Sequence, residues 1–165
     1  MYTVGDKVTH PMHGAGVIEQ IVTRQENAGA RQYYLLRLCV DSMTVLMPCA
    51  CCEAVGLRPT ITSAQARQLL EQLDQVPLQK EGNWNQRYRE NMERLKTGDP
   101  RQVAVVIRTL QRREKTGRRS LPTGERKMLN VAKKILVSEL SLALGEEYQK
   151  IEHIIEQTLV SCSEA

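Results

Sequence analysis

The chain has 165 residues, of which 41% are hydrophobic, 25% are charged and only 4% are aromatic, with no phenylalanine. This composition is typical of a globular protein with one domain or two small ones, and it excludes a disordered or fibrous chain. No apolar run approaches the roughly 20 residues of a membrane span, and a secretory signal pattern is absent, so the sequence predicts a cytoplasmic protein. An odd count of five cysteines then favours reduced thiols over a disulfide framework.

The net charge of +4 conceals an uneven distribution along the chain. Residues 1–60 and 61–80 are each neutral, residues 81–140 carry a net charge of +8, and residues 141–165 carry −4. Ten of the fifteen arginines lie between residues 87 and 126. Because arginine binds phosphate in planar, bidentate geometry, this block is a candidate surface for a polyanion such as nucleic acid. An ordinary solvated helical face explains the same charges equally well.

The first part of the chain predicts a β module. Short β-rich segments, separated by turns that contain glycine, proline or asparagine, predict strands over residues 7–10, 16–22, 32–40 and 43–47. Four or five strands are too few for a sandwich, and a small, strongly bent barrel of the SH3 or Tudor type fits better. Gly5, Gly14 and Gly16 are placed where such a barrel needs tight turns or close backbone approach.

After Pro59 the apolar residues recur with the period of an amphipathic helix. Helices are predicted over residues 63–72, 83–96, 123–144 and 146–160, with a further one that starts at residue 100 and ends before a basic loop at residues 115–120. The predicted N-caps are Ser63, Asn83, Asp99 and either Ser120 or Thr123, and Gly145 is the predicted stop of the longest helix.

Together these patterns predict an α+β protein with two modules. A Tudor- or SH3-like β-barrel at residues 1–58 is followed by a compact all-α domain of about five helices at residues 62–162. The boundary lies near residues 58–62, where the apolar period changes from that of strands to that of helices.

Neither a metal site nor a catalytic site is predicted. The cysteines at positions 39, 49, 51 and 52 have the spacing C-x-C-C at their centre, which is a poor match to the paired cysteines of zinc sites. Small apolar side chains are the better interpretation. The chain contains no nucleophile elbow, Walker A loop, dinucleotide-binding glycine motif or zinc-protease motif, so we predict no enzymatic activity and no cofactor.

The only tryptophan lies in the segment NWNQRYRE, residues 83–90. One interpretation places Trp84 in the core, at the start of an apolar stripe that Tyr88 and Met92 continue. The other places its ring at a helix N-terminus among basic side chains, where an aromatic can stack on an exposed base. The residues alone favour the core interpretation slightly.

Five motifs along the chain, taken in order, resemble those of a known family. They are Val4-Gly5-Asp6-Lys7-Val8 with HPMHGAGV at residues 10–17, Pro48 with Val55-Gly56-Leu57-Arg58, Trp84 with Arg87-Tyr88-Arg89 and KTGD at residues 96–99, GERKML at residues 124–129, and ELSLA at residues 139–143. Their order resembles the CarD/CdnL family of bacterial RNA polymerase-binding transcription regulators. The first module also resembles the polymerase-binding domain of transcription-repair coupling factors, although the chain contains no helicase motor.

The resemblance implies a Tudor-like module that docks on the β subunit of RNA polymerase and a helical domain that contacts promoter DNA. In the family, the aromatic that Trp84 matches meets the minor groove at the upstream edge of the transcription bubble. The implied DNA-facing residues are Trp84, Arg87, Arg89, Arg126 and Lys127. The implied polymerase-docking residues are Arg24, Thr44, Val45, Leu46, Met47 and Pro48.

We therefore predict a non-enzymatic, monomeric transcription regulator that is held at the nucleoid by RNA polymerase. It stabilises the open promoter complex with little sequence specificity, because phosphate contacts and one wedge carry little base information. The alternative is a protein-protein adaptor of the transcription machinery, in which the basic helices meet an acidic partner and Trp84 is a core residue. Leu46, Gln86 and the cysteines at residues 49–52 depart from the family pattern.

Overall fold

The computed structural model describes residues 1–78, 82–117 and 120–163, and of residues 160–163 it describes the backbone alone. Within these ranges the β-strands come first and the long helices follow, which confirms the α+β class with its β-then-α order. The prediction of a basic loop at residues 115–120 is wrong for residues 115 and 116, which still belong to the helix that begins at Pro100, and residues 118 and 119 lie outside the described residues.

The strands form one antiparallel sheet. They are β1 (Lys7–His10), β2 (Gly14–Glu26), β3 (Gly29–Leu38), β4 (Thr44–Pro48) and β5 (Arg58–Pro59), and their order in the sheet is β4-β3-β2-β1-β5. The β2–β3 pairing is the longest, and its register shifts between Ile18 and Gln20. A Cβ atom on Gly16 would collide with the carbonyl of Arg37, so the predicted close backbone approach is confirmed at that glycine.

The predicted closure of the sheet into a barrel is wrong. In the described part of the chain, β4 and β5 are the two edges of the sheet and do not pair with each other. A 3₁₀ turn (Cys49–Cys51) and the one-turn helix α1 (Cys52–Val55) lead the chain away from β4, and β5 then pairs with β1. Since α1 lies before the region predicted as helical, the described residues contain one α-helix more than the predicted five.

The remaining helices match the predicted segments closely. They are α2 (Ser63–Glu71), α3 (Trp84–Lys96), α4 (Pro100–Thr116), α5 (Thr123–Leu144) and α6 (Tyr148–Ser163). The N-caps Asn83 and Asp99 are confirmed, because each side chain accepts a backbone N–H bond from the first turn of its helix. The left-handed conformation of Gly145 at the end of α5 is confirmed as well.

Two predicted caps are wrong. The side chain of Thr62, not Ser63, caps α2, and it forms a reciprocal capping box with Gln65. Neither Ser120 nor Thr123 caps α5, which follows Pro122 without a side-chain cap bond.

The helices surround an apolar core, which is formed by the residues on their apolar faces. Its buried residues on α4 and α5 include Val103, Val106, Ile107, Leu110, Met128, Leu129, Ala132, Ile135, Leu136 and Leu140. On α6, Ile151, Ile155 and Leu159 are buried, whereas Ile154 is half-buried. The sheet has a second, smaller core around Ile18, Tyr34 and Leu36.

The sheet packs on the middle of α5. The hydroxyl of Ser138 accepts a hydrogen bond from the backbone N–H of Ala15 at 3.0 Å. Gly14, next to it, has a φ of +85°, and a Cβ atom there would lie 2.5 Å from the Ser138 hydroxyl. The backbone of β2 therefore approaches α5 as closely as it does because residue 14 is a glycine. The predicted division into modules near residues 58–62 stays a prediction.

A bidentate ion pair closes the same joint. The two Nη atoms of Arg58 each lie 2.7 Å from a carboxylate oxygen of Glu139, and Nε of Arg58 donates to the carbonyl of Gly98 at 2.8 Å. Glu139 is 1% exposed, and the backbone N–H of Ile61 also donates to it at 3.3 Å. The arginine of β5 thus binds both α5 and the turn that precedes α4.

The turn after β1 is organised by the buried side chain of His10. Its Nδ1 accepts hydrogen bonds from the backbone N–H groups of Met12 at 3.0 Å and His13 at 3.2 Å. Burial, with a smaller contribution from the neighbouring His13, lowers the pKa of His10 to about 4. The ring is therefore neutral near pH 7, as an acceptor of two N–H bonds must be.

We expect the free energy of unfolding to decrease as the pH falls from about 6.5 toward 4, because an unfolded histidine takes up its proton before the folded one does. In His10→Asn the side chain keeps an acceptor but does not titrate, so the change in stability between about pH 7 and about pH 5 is expected to shrink. Urea unfolding at both pH values measures this. An equal change in the parent and the variant would contradict the role of His10.

Candidate nucleic-acid and polymerase interfaces

Trp84 is the first residue of α3, directly after the Asn83 cap. It is 43% exposed, and its ring stacks on Tyr88 with 5.2 Å between the ring centroids and 22° between the planes. A Cβ atom on Gly124 would lie 3.4 Å from the Tyr88 ring and 3.9 Å from the Trp84 ring, so both rings cover the start of α5. Trp84 lies outside the buried core cluster, whereas Tyr88 packs against it. The structure thus does not support the core interpretation of Trp84.

Three of the predicted DNA-facing cations are exposed, and each lies close in the sequence to Tyr88 or to Gly124. Arg89 follows Tyr88 on α3, and Arg126 and Lys127 lie in the first turns of α5. Arg126 forms an ion pair of 3.0 Å with Glu114, and nearly half of its side chain remains accessible. Among the residues that the structure describes, Arg89 and Lys127 form no ion pair, so their charges are not neutralised within that part of the chain.

Arg87 is turned toward the interior, unlike the three exposed cations. Its side chain is 19% exposed, its Nε lies 3.8 Å from Oε1 of Glu125, and one Nη donates to the carbonyl of Gly82. The structure therefore does not bring Arg87 to the exposed cations. Its role in DNA binding stays a prediction.

Sequence reasoning did not identify Glu125 or Glu139 as functional residues. Both are buried in α5, and each is paired with arginine. The one sequence signal for these two glutamates is that they interrupt a basic segment. That signal does not identify the arginines with which they pair.

The predicted polymerase-docking strand, β4, is an edge of the sheet. Thr44 is exposed, and Val45, Leu46 and Pro48 are half-buried. The side chain of Met47 points into the sheet core, so it anchors β4 and does not lie on its outer surface. On this strand the groups that a partner can reach are the backbone and the other four side chains.

Arg24 is joined to β4 through a tyrosine. The guanidinium of exposed Arg24 lies over the ring of Tyr33, 5.9 Å from its centroid. Tyr33 in turn pairs with Pro48 in the β3–β4 ladder. The predicted docking residues on β2 and β4 therefore share one neighbour, and their role in docking stays a prediction.

The described ranges hold no group of three or more His, Cys, Asp and Glu side chains that could bind a metal ion. Cys52 is buried, as expected of a small apolar side chain, but Cys39 and Cys51 are exposed, so that interpretation is wrong for them. In the same ranges, helices that combine the length and the apolarity of a membrane span are absent.

Two family models match the chain, one over each half. The CarD-like/TRCF RID domain matches residues 2–61, and the CarD C-terminal domain matches residues 68–156. The chain belongs to the CarD family. A relative from Bacillus subtilis (strain 168), named "Putative transcription factor YdeB", is 32% identical over 145 residues, which are 88% of this chain and 94% of that protein.

Membership of the CarD family confirms the resemblance drawn from the five motifs. It identifies the chain as a transcription regulator that interacts with RNA polymerase. The matched domains are regulatory and not catalytic. The residues of β4 and the surroundings of Trp84 fall within the first and the second matched region, respectively.

Proposed function

We propose that this CarD-family protein docks on the β subunit of RNA polymerase and contacts promoter DNA at the upstream edge of the bubble, which stabilises the open complex. The observation that carries this proposal is the ring of Trp84, which is partly exposed at a helix N-terminus and stacked on Tyr88. A large apolar ring at the surface of a basic segment is costly in water and suited to stacking on, or wedging against, a base.

The proposed mechanism is a shift in the equilibrium between closed and open promoter. A contact that Trp84 makes only with melted or distorted DNA adds binding free energy to the open state alone. Because the ring already rests on Tyr88 and over Gly124, little side-chain freedom is lost on binding. The wedge reads few base edges, so low sequence specificity is expected.

The exposed cations support this role electrostatically. Arg89, Arg126 and Lys127 flank the residues that hold the Trp84 ring, on α3 and α5. Such cations bind DNA phosphates and release counterions, which makes the affinity depend on salt.

Arg89→Glu and Lys127→Glu are expected to weaken binding to a polymerase–promoter complex and to reduce the log–log salt slope by about 0.9 for each phosphate that the variant no longer neutralises. Arg67→Glu is the matched control, because it makes the same charge change at an exposed position of α2. A salt titration of binding measures the slopes. Unchanged slopes in both test variants would favour the adaptor alternative.

The polymerase half of the proposal rests on the unpaired edge of β4. In the described part of the chain β4 pairs with β3 alone, so its outer N–H and C=O groups are free to extend a sheet of another protein. Half-buried Leu46 and Val45 add apolar surface beside this edge.

Leu46→Asp is expected to weaken binding to polymerase without DNA by about tenfold, the loss of a modest interface residue. Val55→Asp is the control, since Val55 is an exposed apolar residue of the same module that is not on β4. Binding of the labelled 165-residue chain to polymerase, followed by fluorescence anisotropy, provides the measurement. Equal effects of both changes would argue against docking through β4.

A further inference from the structure

Glu125 is a carboxylate at which three helices meet. It lies in the first turn of α5, directly after Gly124, and is 0% exposed. Its Oε1 lies 2.6 Å from Nη1 of Arg113 on α4 and 3.8 Å from Nε of Arg87 on α3. A carboxylate buried to this degree is unfavourable unless it is paired, so the two arginines compensate for its burial.

The pair with Arg87 is incomplete. Nε of Arg87 and Oε2 of Glu125 are both buried and have no hydrogen-bond partner in the described part of the chain. One is a donor and the other an acceptor, and they belong to side chains that already approach each other. The Arg87–Glu125 contact is therefore not an ion pair optimised for stability. A role in holding α3 and α5 at a set distance explains the contact better.

This cluster adjoins, along the chain, the residues that support the Trp84 ring. Arg87 is followed on α3 by Tyr88, on which Trp84 stacks, and Glu125 is preceded on α5 by Gly124, which both rings cover. An opening of the Arg87–Glu125 contact would therefore change the position of Tyr88 relative to Gly124. The Trp84 ring would then lose one of its two supports.

We propose that Glu125 is the positioning residue for Trp84. Through Arg87 it holds the first turn of α3 against α5, and through Arg113 it fixes the start of α5 on α4, so that the ring has its orientation before DNA binds. This inference rests on the proposed role of Trp84 and assigns Arg87 to the support of the ring. A site residue whose neighbours lock its rotamer binds with a smaller loss of conformational entropy.

The test uses the fluorescence of Trp84 in the full chain without DNA, because the chain has a single tryptophan. Glu125→Gln and Arg87→Met are expected to raise the acrylamide quenching constant and to lower the fluorescence anisotropy of the ring. Glu139→Gln is the matched control, since it also changes a buried, arginine-paired glutamate of α5 but lies in the joint with the sheet. It is expected to leave the fluorescence unchanged.

Two precautions keep the test decisive. All variants are compared below their melting transitions with equal far-ultraviolet circular dichroism, so that unfolding does not contribute. If Glu125→Gln does not fold, Arg87→Met carries the test, because Glu125 keeps its 2.6 Å contact with Arg113 in that variant. Parent-like quenching and anisotropy in the folded variants would overturn the inference.

Open-complex lifetime separates this inference from the proposed function. We expect Glu125→Gln to shorten the lifetime by up to about fivefold, the lower limit of one base–aromatic contact. A looser ring with an unchanged lifetime, while Trp84→Ala shortens it, would overturn the inference. If neither Trp84→Ala nor Glu125→Gln changes the lifetime but the fluorescence does change, the positioning role is supported and the proposed function is wrong.

Discussion

Trp84→Ala is expected to shorten the lifetime of the open complex by about five- to 150-fold, the equivalent of the 1–3 kcal/mol of one base–aromatic contact. The same change should lower the stability of the free protein by only about 1 kcal/mol, because the ring is 43% exposed and lies outside the core cluster. The two effects differ in size because the exposed part of the ring is available to DNA, whereas its covered part packs on Tyr88 and over Gly124 at the margin of the core.

Lifetime after competitor challenge on one promoter, together with thermal melting, measures both effects. Trp84→Phe is the matched variant, since it keeps an aromatic ring that can stack on Tyr88, and it is expected to retain most of the lifetime. A collapsed melting temperature in Trp84→Ala would return the residue to the core. Normal melting with an unchanged lifetime would remove it from the DNA interface.

Arg58→Met is expected to lower the free energy of unfolding by about 3–5 kcal/mol, because it leaves the carboxylate of Glu139 buried without its bidentate partner. Glu139 is 1% exposed, while the side chain of Arg58 is 27% exposed. Glu139→Gln should cost less, since the arginine that it leaves unpaired is nearer to solvent and the amide still accepts the N–H of Ile61.

Urea unfolding of the single variants and of Arg58→Met/Glu139→Leu measures this pair. The double variant is expected to recover much of the loss, because it removes both charges and fills the site with apolar groups. A loss below about 1 kcal/mol in Arg58→Met would show that the pair behaves as a solvated surface contact.

The helices were predictable because their signals are local. The N-caps Asn83 and Asp99 and the left-handed Gly145 act within one turn of the helix that they begin or end, and all are confirmed. The wrong cap of α2 arose because Ser63 and Thr62 are adjacent and both can cap. The structure selects Thr62, whose partner Gln65 stands three residues later.

The buried charges were not predictable because their partners are distant in the chain. Arg58 and Glu139 are 81 residues apart, and Arg113 and Glu125 are 12 apart on different helices. Charge patterns along one helix report only neighbours three or four positions away. The same limit applies to the open sheet, since nothing in the strand segments shows that the turn after Pro48 leads the chain to the far edge.

Trp84 shows how apolar periodicity and family resemblance lead to different predictions. Its spacing to Tyr88 and Met92 is that of a core stripe, and periodicity alone placed it there. Tyr88 and Met92 do pack against the core, but Trp84 stands one turn beyond it, where the stripe leaves the interior. The family resemblance implied an exposed role for this position, and the structure places the ring at the surface.

Helix α5 makes two contacts that hold other parts of the molecule, one through Glu125 and one through Glu139. It is therefore a rigid spacer between them. Glu125 in its first turn supports the Trp84 region, and Glu139 holds the sheet. Fourteen positions separate these two residues (139 less 125), which in an α-helix is about 21 Å and nearly four full turns. One inserted residue between them would turn the Glu125 contact by about 100° around the helix axis relative to the Glu139 contact. The rotation of α5 between Glu125 and Glu139 therefore determines which way the Trp84 ring faces when a partner binds the β4 edge of the sheet.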